Sequence, residues 1–176
     1  MVTMDYQHMA YQNVKGLNCG DCEILSCTTS NMRTPVSKAD AKEKKADMSK
    51  LIWDDDVGMY FIKRNEDHTC SFYDHFEERC SLPLERRFNS CLVYPVRVHR
   101  GQYDVADQII LNANCPSAMS LFDLYARRDE SVVNYIRGAV KIFSWDKDYR
   151  DHVLKKTKDF KRVLRLGTVT HFIFKG

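Results

Sequence analysis

The order of apolar patterns along the chain constrains its possible folds more than any other feature of the sequence. Strand-like patterns occupy residues 59–64, 68–76 and 91–98, and a last stretch, 168–174, alternates between two faces. Helical patterns with a period of about 3.6 residues fill part of the interval between the third and fourth strands. Strands and helices that are segregated in this way predict an α+β fold, in which a small, mainly antiparallel sheet packs with two or three C-terminal helices.

The third strand pattern also indicates its place in the sheet. Residues 91–98 are rich in β-branched and aromatic side chains, but Pro95 interrupts them. Because proline cannot donate a backbone hydrogen bond to a neighbouring strand, this strand is predicted at an edge. An edge strand also offers a route to self-association, since a second chain can add to it.

Residues that can cap helices precede two of the helical patterns. Ser117 precedes the first pattern and Asp129 precedes the next, and both residue types accept hydrogen bonds from backbone N–H groups at a helix start. The sequence leaves two possibilities for the end of the second helix. Either the helix continues through Gly138, or Gly138 ends it and residues 140–145 form a strand.

The third helical pattern carries most of the positive charge. It begins after Asp146 or Asp148 and is predicted to run to about Leu166, where Gly167 would end it. Residues 148–166 contain seven Lys or Arg and three Asp, a net charge of +4, against +3 for the whole chain. On a helical wheel, four of the cations form a stripe opposite the apolar side: Lys155, Lys158, Arg162 and Arg165.

The basic stripe has two interpretations. It can be a solvated face that keeps the domain soluble, or it can contact a polyanion such as RNA, DNA, an acidic protein or an acidic lipid surface. A membrane surface is the weaker choice, since the apolar side of the helix is needed for the protein core. The polyanion hypothesis assigns binding to the stripe residues Lys155, Lys158, Arg162 and Arg165.

The spacing of two cysteines is typical of zinc sites. Cys19 and Cys22 are separated by two residues, and a closed zinc site needs four ligands. We predict His68 and Cys70 as their partners, because residues two apart on a strand point to the same face. One structural zinc held by these four residues is the cofactor that the sequence suggests. The alternative is that these thiols are small buried or loop side chains without a metal.

Cysteine usage also indicates the compartment. Seven cysteines, an odd number at spacings that suggest no disulfide framework, indicate a reducing environment. The first twenty residues contain no apolar leader segment, and no apolar run approaches the ~20 residues that span a bilayer. We therefore expect an intracellular protein of cytoplasm or nucleus, not secreted and without a transmembrane segment.

The composition also divides the chain. Residues 1–50 are predicted as a Cys-containing segment followed by a mobile, highly charged stretch from residue 33. A bland interpretation of that stretch is a solvated helix or linker that begins near Ser37. Residues 51–176 are predicted as a single α+β core domain.

The sequence carries no specific catalytic or nucleotide-binding signature, such as a phosphate-binding glycine loop. We therefore expect a non-enzymatic binding or assembly protein that self-associates or contacts another protein, and whose basic helix contacts a polyanion. A viral matrix-like, capsid-associated or accessory protein is one form of this expectation. The first alternative is an RNA- or single-stranded nucleic-acid-binding protein. The second is a hydrolase that depends on a Cys/His pair.

Overall fold

The structure is a computed structural model, and it describes residues 27–28, 33–100, 107–112, 115, 117–158 and 164–168. The strands in these residues are β1 (Pro35–Val36), β2 (Leu51–Asp54), β3 (Met59–Ile62), β4 (Tyr73–Asp74), β5 (Arg79–Cys80), β6 (Val96–His99), β7 (Gln108–Leu111) and β8 (Leu164–Thr168). The helices are α1 (Lys38–Glu43), α2 (Asn89–Val93), α3 (Ala118–Ala126), α4 (Glu130–Trp145) and α5 (Lys147–Thr157), with short 3₁₀ helices at Met48–Lys50 and Leu84–Arg86.

The described strands form three small sheets, with the orders β1-β3-β2, β4-β5 and β6-β7-β8. Every pairing in them is antiparallel. The α+β class with small antiparallel sheets and C-terminal helices is therefore confirmed, although the strands are distributed over three sheets. None of the described helices combines the length and the apolar composition that a bilayer-spanning helix needs.

The first sheet begins within the charged stretch. Strand β1 pairs with β3, with Val36 opposite Tyr60, and β2 pairs with the other side of β3. Ser37 then starts α1 where the sequence predicts a helix, because its side chain accepts a hydrogen bond from the N–H of Asp40. Val36, Asp40 and Ala41 are buried, so this part of the stretch is folded into the core, where the sequence predicted a mobile segment.

The first two predicted strands do not form the expected hairpin. Residues Met59–Ile62 (β3) pair with β1 and β2, and within 68–76 only Tyr73–Asp74 (β4) forms strand, paired with β5. Between the two segments that were predicted to pair, 59–64 and 68–76, one isolated β-bridge forms, and it joins Arg64 to Cys70. His68 lies in the turn between them with φ 67°, a left-handed conformation that interrupts extended backbone.

The third predicted strand, 91–98, begins as a helix. Residues Asn89–Val93 form α2, and only Val96–His99 (β6) is extended. The backbone N–H of Asn89 donates to the carboxylate of Asp40 over 2.8 Å. Asp40, which is distant in sequence, therefore stabilises the start of α2. The strand preference of residues 91–98 contains no information about this contact.

Strand β6 lies at an edge of the third sheet, as Pro95 predicts. Helix α5 covers part of this edge, because the hydroxyl of Thr157 donates to the carbonyl of Val98 over 2.9 Å. The helix ends at Thr157, so the prediction that it runs to about Leu166 is wrong. Gly167 lies in β8, next to an irregularity in its pairing with β7, and not at a helix end.

The predicted terminal strand, 168–174, falls almost wholly outside the described residues, and the strand observed there is Leu164–Thr168. The start of α4 agrees with the sequence, since Asp129 accepts hydrogen bonds from two N–H groups in its first turn. Helix α4 continues through Gly138, which resolves the alternative of a strand after it. Asp146 caps α5 by accepting from the N–H of Tyr149 over 3.1 Å.

Two clusters of buried apolar side chains form the core. The smaller cluster lies between the first sheet, α1 and the segment before α2 and contains Val36, Ala41, Leu51, Ile62, Cys70, Phe72 and Phe88. The larger joins the third sheet to the last four helices. Helix α5 contributes three of its side chains, Tyr149, Val153 and Leu154, to the larger cluster. This apolar face fixes which side of α5 remains outside.

Candidate functional site

A cavity of about 390 Å³ lies where the first sheet, α2, β6 and α5 meet. Its interior is formed mainly by apolar and aromatic side chains, including Phe61, Ile62, Tyr94, Tyr149 and Val153. Basic side chains from three separate segments line the same cavity: Arg33, Arg97, His152 and Lys156. An apolar interior with a few polar groups is typical of a small-molecule site.

Two of the basic side chains are held in place by aromatic rings. The guanidinium of Arg33 lies 4.0 Å from the ring centre of Phe61 and pairs with Asp54 over 2.7 Å. The guanidinium of Arg97 lies 4.8 Å from the ring centre of Tyr94. Such cation–π contacts reduce the freedom of long side chains. Both cations therefore have defined positions at the cavity.

Lys156 and Lys155 extend the positive charge along α5. Lys156 lies one helical turn after His152 and lines the cavity, and its neighbour Lys155 is exposed. We refer to the set Arg33, Arg97, Lys155 and Lys156 as the basic cluster. Within the described part of the chain, no carboxylate lies within 4 Å of any of its last three members. Most of this charge is therefore available to an external anion.

The pKa of His152 is lowered by burial and in part by the positive charges of the basic cluster. Its pKa falls to about 4, first because it is partly buried and then because Lys156, Lys155, Arg97 and Arg33 surround it. A protonated imidazole would add a further positive charge to a site that is already positive. At neutral pH the imidazole is therefore neutral, and its ring contacts Phe61 edge to face at 5.9 Å.

Thiols and hydroxyls also line the cavity. Cys91 is exposed as a residue, while burial of its thiol, first, and the neighbouring thiols raise its pKa well above the usual range. Cys27 and Cys70 line the cavity as well, and burial raises the pKa of Cys27 to about 11. Ser90 and Tyr149 contribute hydroxyl groups. All of these groups are neutral near pH 7.

The charge states of these groups bear on the Cys/His hydrolase hypothesis. Cys91 and His152 line one cavity, but the pKa of the thiol is raised and that of the imidazole is lowered. A nucleophilic Cys/His pair needs the opposite shifts, which favour a thiolate beside an imidazolium. The electrostatics of the cavity therefore favour binding over nucleophilic attack.

The four residues predicted to bind a polyanion do not form one helical stripe. Lys155 is exposed on α5, and Lys158 is exposed directly after the helix. Arg165 is exposed on β8, in a different element, and Arg162 lies outside the described residues. The predicted geometry is corrected because the chain leaves the helix after Thr157. Their role in binding remains a prediction.

Sequence reasoning missed three cations of the basic cluster that line the cavity, Arg33, Arg97 and Lys156. A signal for Arg97 is present, since Val96 and Val98 are buried on one face of β6 and the residue between them must point the other way. Lys156 lies in the same basic segment as Lys155 but on a neighbouring face of the helix. That this face adjoins a cavity depends on contacts between distant segments.

The predicted zinc ligands are not brought together in the described residues. Cys19 and Cys22 lie outside these residues. His68 is exposed in a turn, whereas Cys70 is buried and lines the cavity, so the two do not share the face of a strand. The described part of the chain contains no group of three or more His, Cys, Asp or Glu placed to hold a metal ion. The zinc site stays a prediction.

Comparison with protein-family models, with curated proteins and with solved structures finds no match to this chain.

Proposed function

We propose that this chain is a non-catalytic binding protein that contacts a polyanion, and specifically a single-stranded nucleic acid, through the basic cluster. The observation that carries the proposal is that Arg97 and Lys156 line one cavity with His152, next to Lys155 on α5, and that these three cations have no acidic partner within 4 Å among the described residues. Like charges held together repel one another, and bound phosphates relieve this repulsion while releasing counterions.

The position of α5 argues against a membrane surface as the polyanion. An interfacial helix needs an apolar face that can enter the lipid. Here Tyr149, Val153 and Leu154 are buried in the protein core, so α5 offers only its polar side. Lys155, Lys156 and Lys158 are exposed on that side. A flexible, charged strand can follow such a surface without any rearrangement of the helix.

Binding of a fluorescent single-stranded oligonucleotide tests the proposal by anisotropy. Charge reversal of two cavity cations, Arg97→Glu with Lys156→Glu, removes two phosphate contacts. The dissociation constant should rise on the order of 100-fold, since each hydrogen bond to a charged group contributes about 1.5–3 kcal/mol.

A second double variant provides the matched control. Lys141→Glu with Lys147→Glu changes the net charge by the same amount, and both residues are exposed outside the cavity lining. It should weaken binding only slightly, through the long-range field. Equal loss in both double variants would show that net charge alone is responsible, and no loss in the Arg97/Lys156 variant would overturn the proposal.

Self-association is a second candidate function, favoured by strand β2. This strand forms an edge of the first sheet, and Ile52 on it is 53% exposed. Val57, in the turn that follows, and Met48, before the strand, are exposed apolar side chains as well. An exposed apolar edge can pair with a second chain. A viral matrix-like, capsid-associated or accessory role would combine such pairing with contact to a polyanion.

Light scattering at rising protein concentration tests self-association. The wild-type chain should increase in average mass, and Ile52→Lys should remain monomeric, because a charged side chain on an edge opposes strand addition. A chain that stays monomeric at every concentration contradicts this second function and leaves the first untouched.

A further inference from the structure

The interior of the cavity presents groups that the basic cluster does not use. Ser90 borders it and is 94% buried (6% exposed), yet its Oγ atom has no hydrogen-bond partner. Tyr149 lines the cavity as well and is 2% exposed. A buried hydroxyl without a partner, such as that of Ser90, is costly. A ligand that donates to or accepts from Ser90 would remove that cost.

Tyr149 lines the same cavity as the cations Arg97 and Lys156 and the thiol of Cys91. Burial is the main cause that raises the pKa of Tyr149 to about 12, so its hydroxyl is protonated near neutral pH and can donate a hydrogen bond. One ligand in the cavity can contact a cation and Tyr149 at the same time.

Three properties of the cavity restrict the chemistry of its occupant. The basic side chains favour a ligand with an anionic group. The apolar interior favours a planar or apolar moiety in that ligand, and the hydroxyls favour hydrogen-bonding groups at its edge. Inorganic phosphate would leave the apolar volume empty. A fatty acid would leave the Ser90 hydroxyl without a partner. A nucleotide has a phosphate, an apolar ring face and hydrogen-bonding groups at the ring edge.

We propose that the cavity takes up one nucleotide of a bound single strand, with its phosphate against Arg97 and Lys156 and its base inside. The Ser90 and Tyr149 hydroxyls form hydrogen bonds with the edge of the base. This inference rests on the proposed function, because the basic cluster carries the rest of the strand. A base-paired duplex cannot supply such a base without unpairing it.

Alkylation of Cys91 reports directly on occupation of the cavity. Cys91 is an exposed residue that lines the cavity, whereas Cys80 is half-buried and does not line the cavity. Because its pKa is raised, Cys91 reacts slowly. The full chain is therefore treated with excess iodoacetamide at pH 8.5, and the labelling rate of each cysteine is followed over hours by mass spectrometry of its peptides. A single-stranded oligonucleotide or a nucleoside monophosphate should slow labelling of Cys91 at least about fivefold and leave that of Cys80 unchanged.

A conservative variant tests the role of the buried hydroxyl. Ser90 Oγ forms no hydrogen bond within the protein, so Ser90→Ala should leave the melting temperature unchanged or slightly raised. The concentration of nucleoside monophosphate that protects Cys91 should nevertheless rise about three- to tenfold, the usual effect of one lost hydrogen bond. Equal protection in wild type and Ser90→Ala would overturn the placement of the base.

The remaining outcomes separate this inference from the proposed function. Salt-dependent binding of the oligonucleotide without protection of Cys91 would leave the proposed function standing and overturn the inference. Protection by inorganic phosphate as strong as that by the mononucleotide would also overturn it, since the base would contribute nothing. Protection by the mononucleotide without oligonucleotide binding would support the base in the cavity and contradict the proposed function.

Discussion

Two regions of the molecule hold like charges close together, and they handle the repulsion in opposite ways. In the basic cluster, Arg97 and Lys156 line the cavity and Lys155 is exposed beside Lys156, and none of the three has a carboxylate within 4 Å among the described residues. In the second region, Asp40 and Asp146 are each at most 2% exposed. The basic side chains are reachable from outside, and the acidic ones are not.

The hydrogen bonds of the acidic region all come from within the protein, and Asp40 Oδ1 remains buried without a hydrogen-bond partner among the described residues. Asp146 accepts hydrogen bonds from the side chains of Ser37, at 2.9 Å, and Asn89, at 2.8 Å. The N–H of Asn89 donates to Asp40, whose pKa is raised to about 7, first by burial and further by Asp146. A network that spans α1, α2 and α5 in this way is structural.

The two regions differ in how their charge is accommodated. Buried carboxylates that accept hydrogen bonds from other segments hold those segments together. Within the described residues, the accessible cations of the basic cluster have no carboxylate within 4 Å, apart from Arg33, which pairs with Asp54. We therefore assign the acidic network a structural role and propose the basic cluster as the contact for another molecule.

Removal of Asp146 should have a large effect on stability. Asp146→Ala leaves the Ser37 hydroxyl and the Asn89 amide without their acceptor and removes the cap of α5. We expect a loss of about 4 kcal/mol in the free energy of unfolding, from unsatisfied buried groups and the lost cap together. Urea denaturation measures it. The control, Asp148→Ala in the exposed first turn of the same helix, should change stability by less than about 0.5 kcal/mol.

Asp40 should make stability depend on pH. Its folded pKa of about 7 lies above the ordinary value of 3.8, so the folded protein binds a proton that the unfolded chain has released. The stability that this group contributes is therefore fully present below pH 4 and is lost as the pH rises to about 7, by on the order of 4 kcal/mol. In Asp40→Asn that loss should disappear. An unchanged pH profile of the melting temperature in the variant would contradict the assignment.

His152 should register an anion at the basic cluster, with a smaller effect. Without ligand its pKa is about 4, and the carbon-bound ring protons in NMR spectra should show a neutral imidazole at pH 6. A bound phosphate offsets the neighbouring cations, so the pKa should rise by about one unit, equivalent to ~1.4 kcal/mol. If the pKa of His152 does not change at a saturating concentration of oligonucleotide, the nucleic acid binds elsewhere on the protein.

The parts of the fold that the sequence predicts are those determined by nearby residues. Ser37 and Asp129 cap helices as expected, because a cap acts over three residues, whereas Ser117 precedes α3 without a side-chain capping hydrogen bond. Strand β6 lies at an edge as predicted, although Pro95 precedes the strand and is not part of it. Helix α2 was missed because Asp40, in a distant segment, accepts from its first N–H. The early end of α5 was missed because Thr157 and the strand after it bond to the third sheet.

The candidate site depends on such distant contacts to an even greater degree. The positive charge near residue 155 is visible in the sequence, and Lys155 is a member of the basic cluster. The cavity beside it is assembled from segments that include Arg33, Arg97 and Lys156, and nothing local to any of them indicates the others. Periodicity therefore located the basic segment, and only tertiary packing located the site.

The salt dependence of oligonucleotide binding tests most directly whether the basic cluster meets phosphates. Each phosphate contact to a single strand contributes about −0.7 to the slope of the logarithm of the association constant against the logarithm of salt concentration. We expect the slope of Arg97→Gln with Lys156→Gln to be shallower than that of the wild type by about 1.4, for two lost contacts. Lys141→Gln with Lys147→Gln should keep the wild-type slope. Identical slopes for all three proteins would contradict the account.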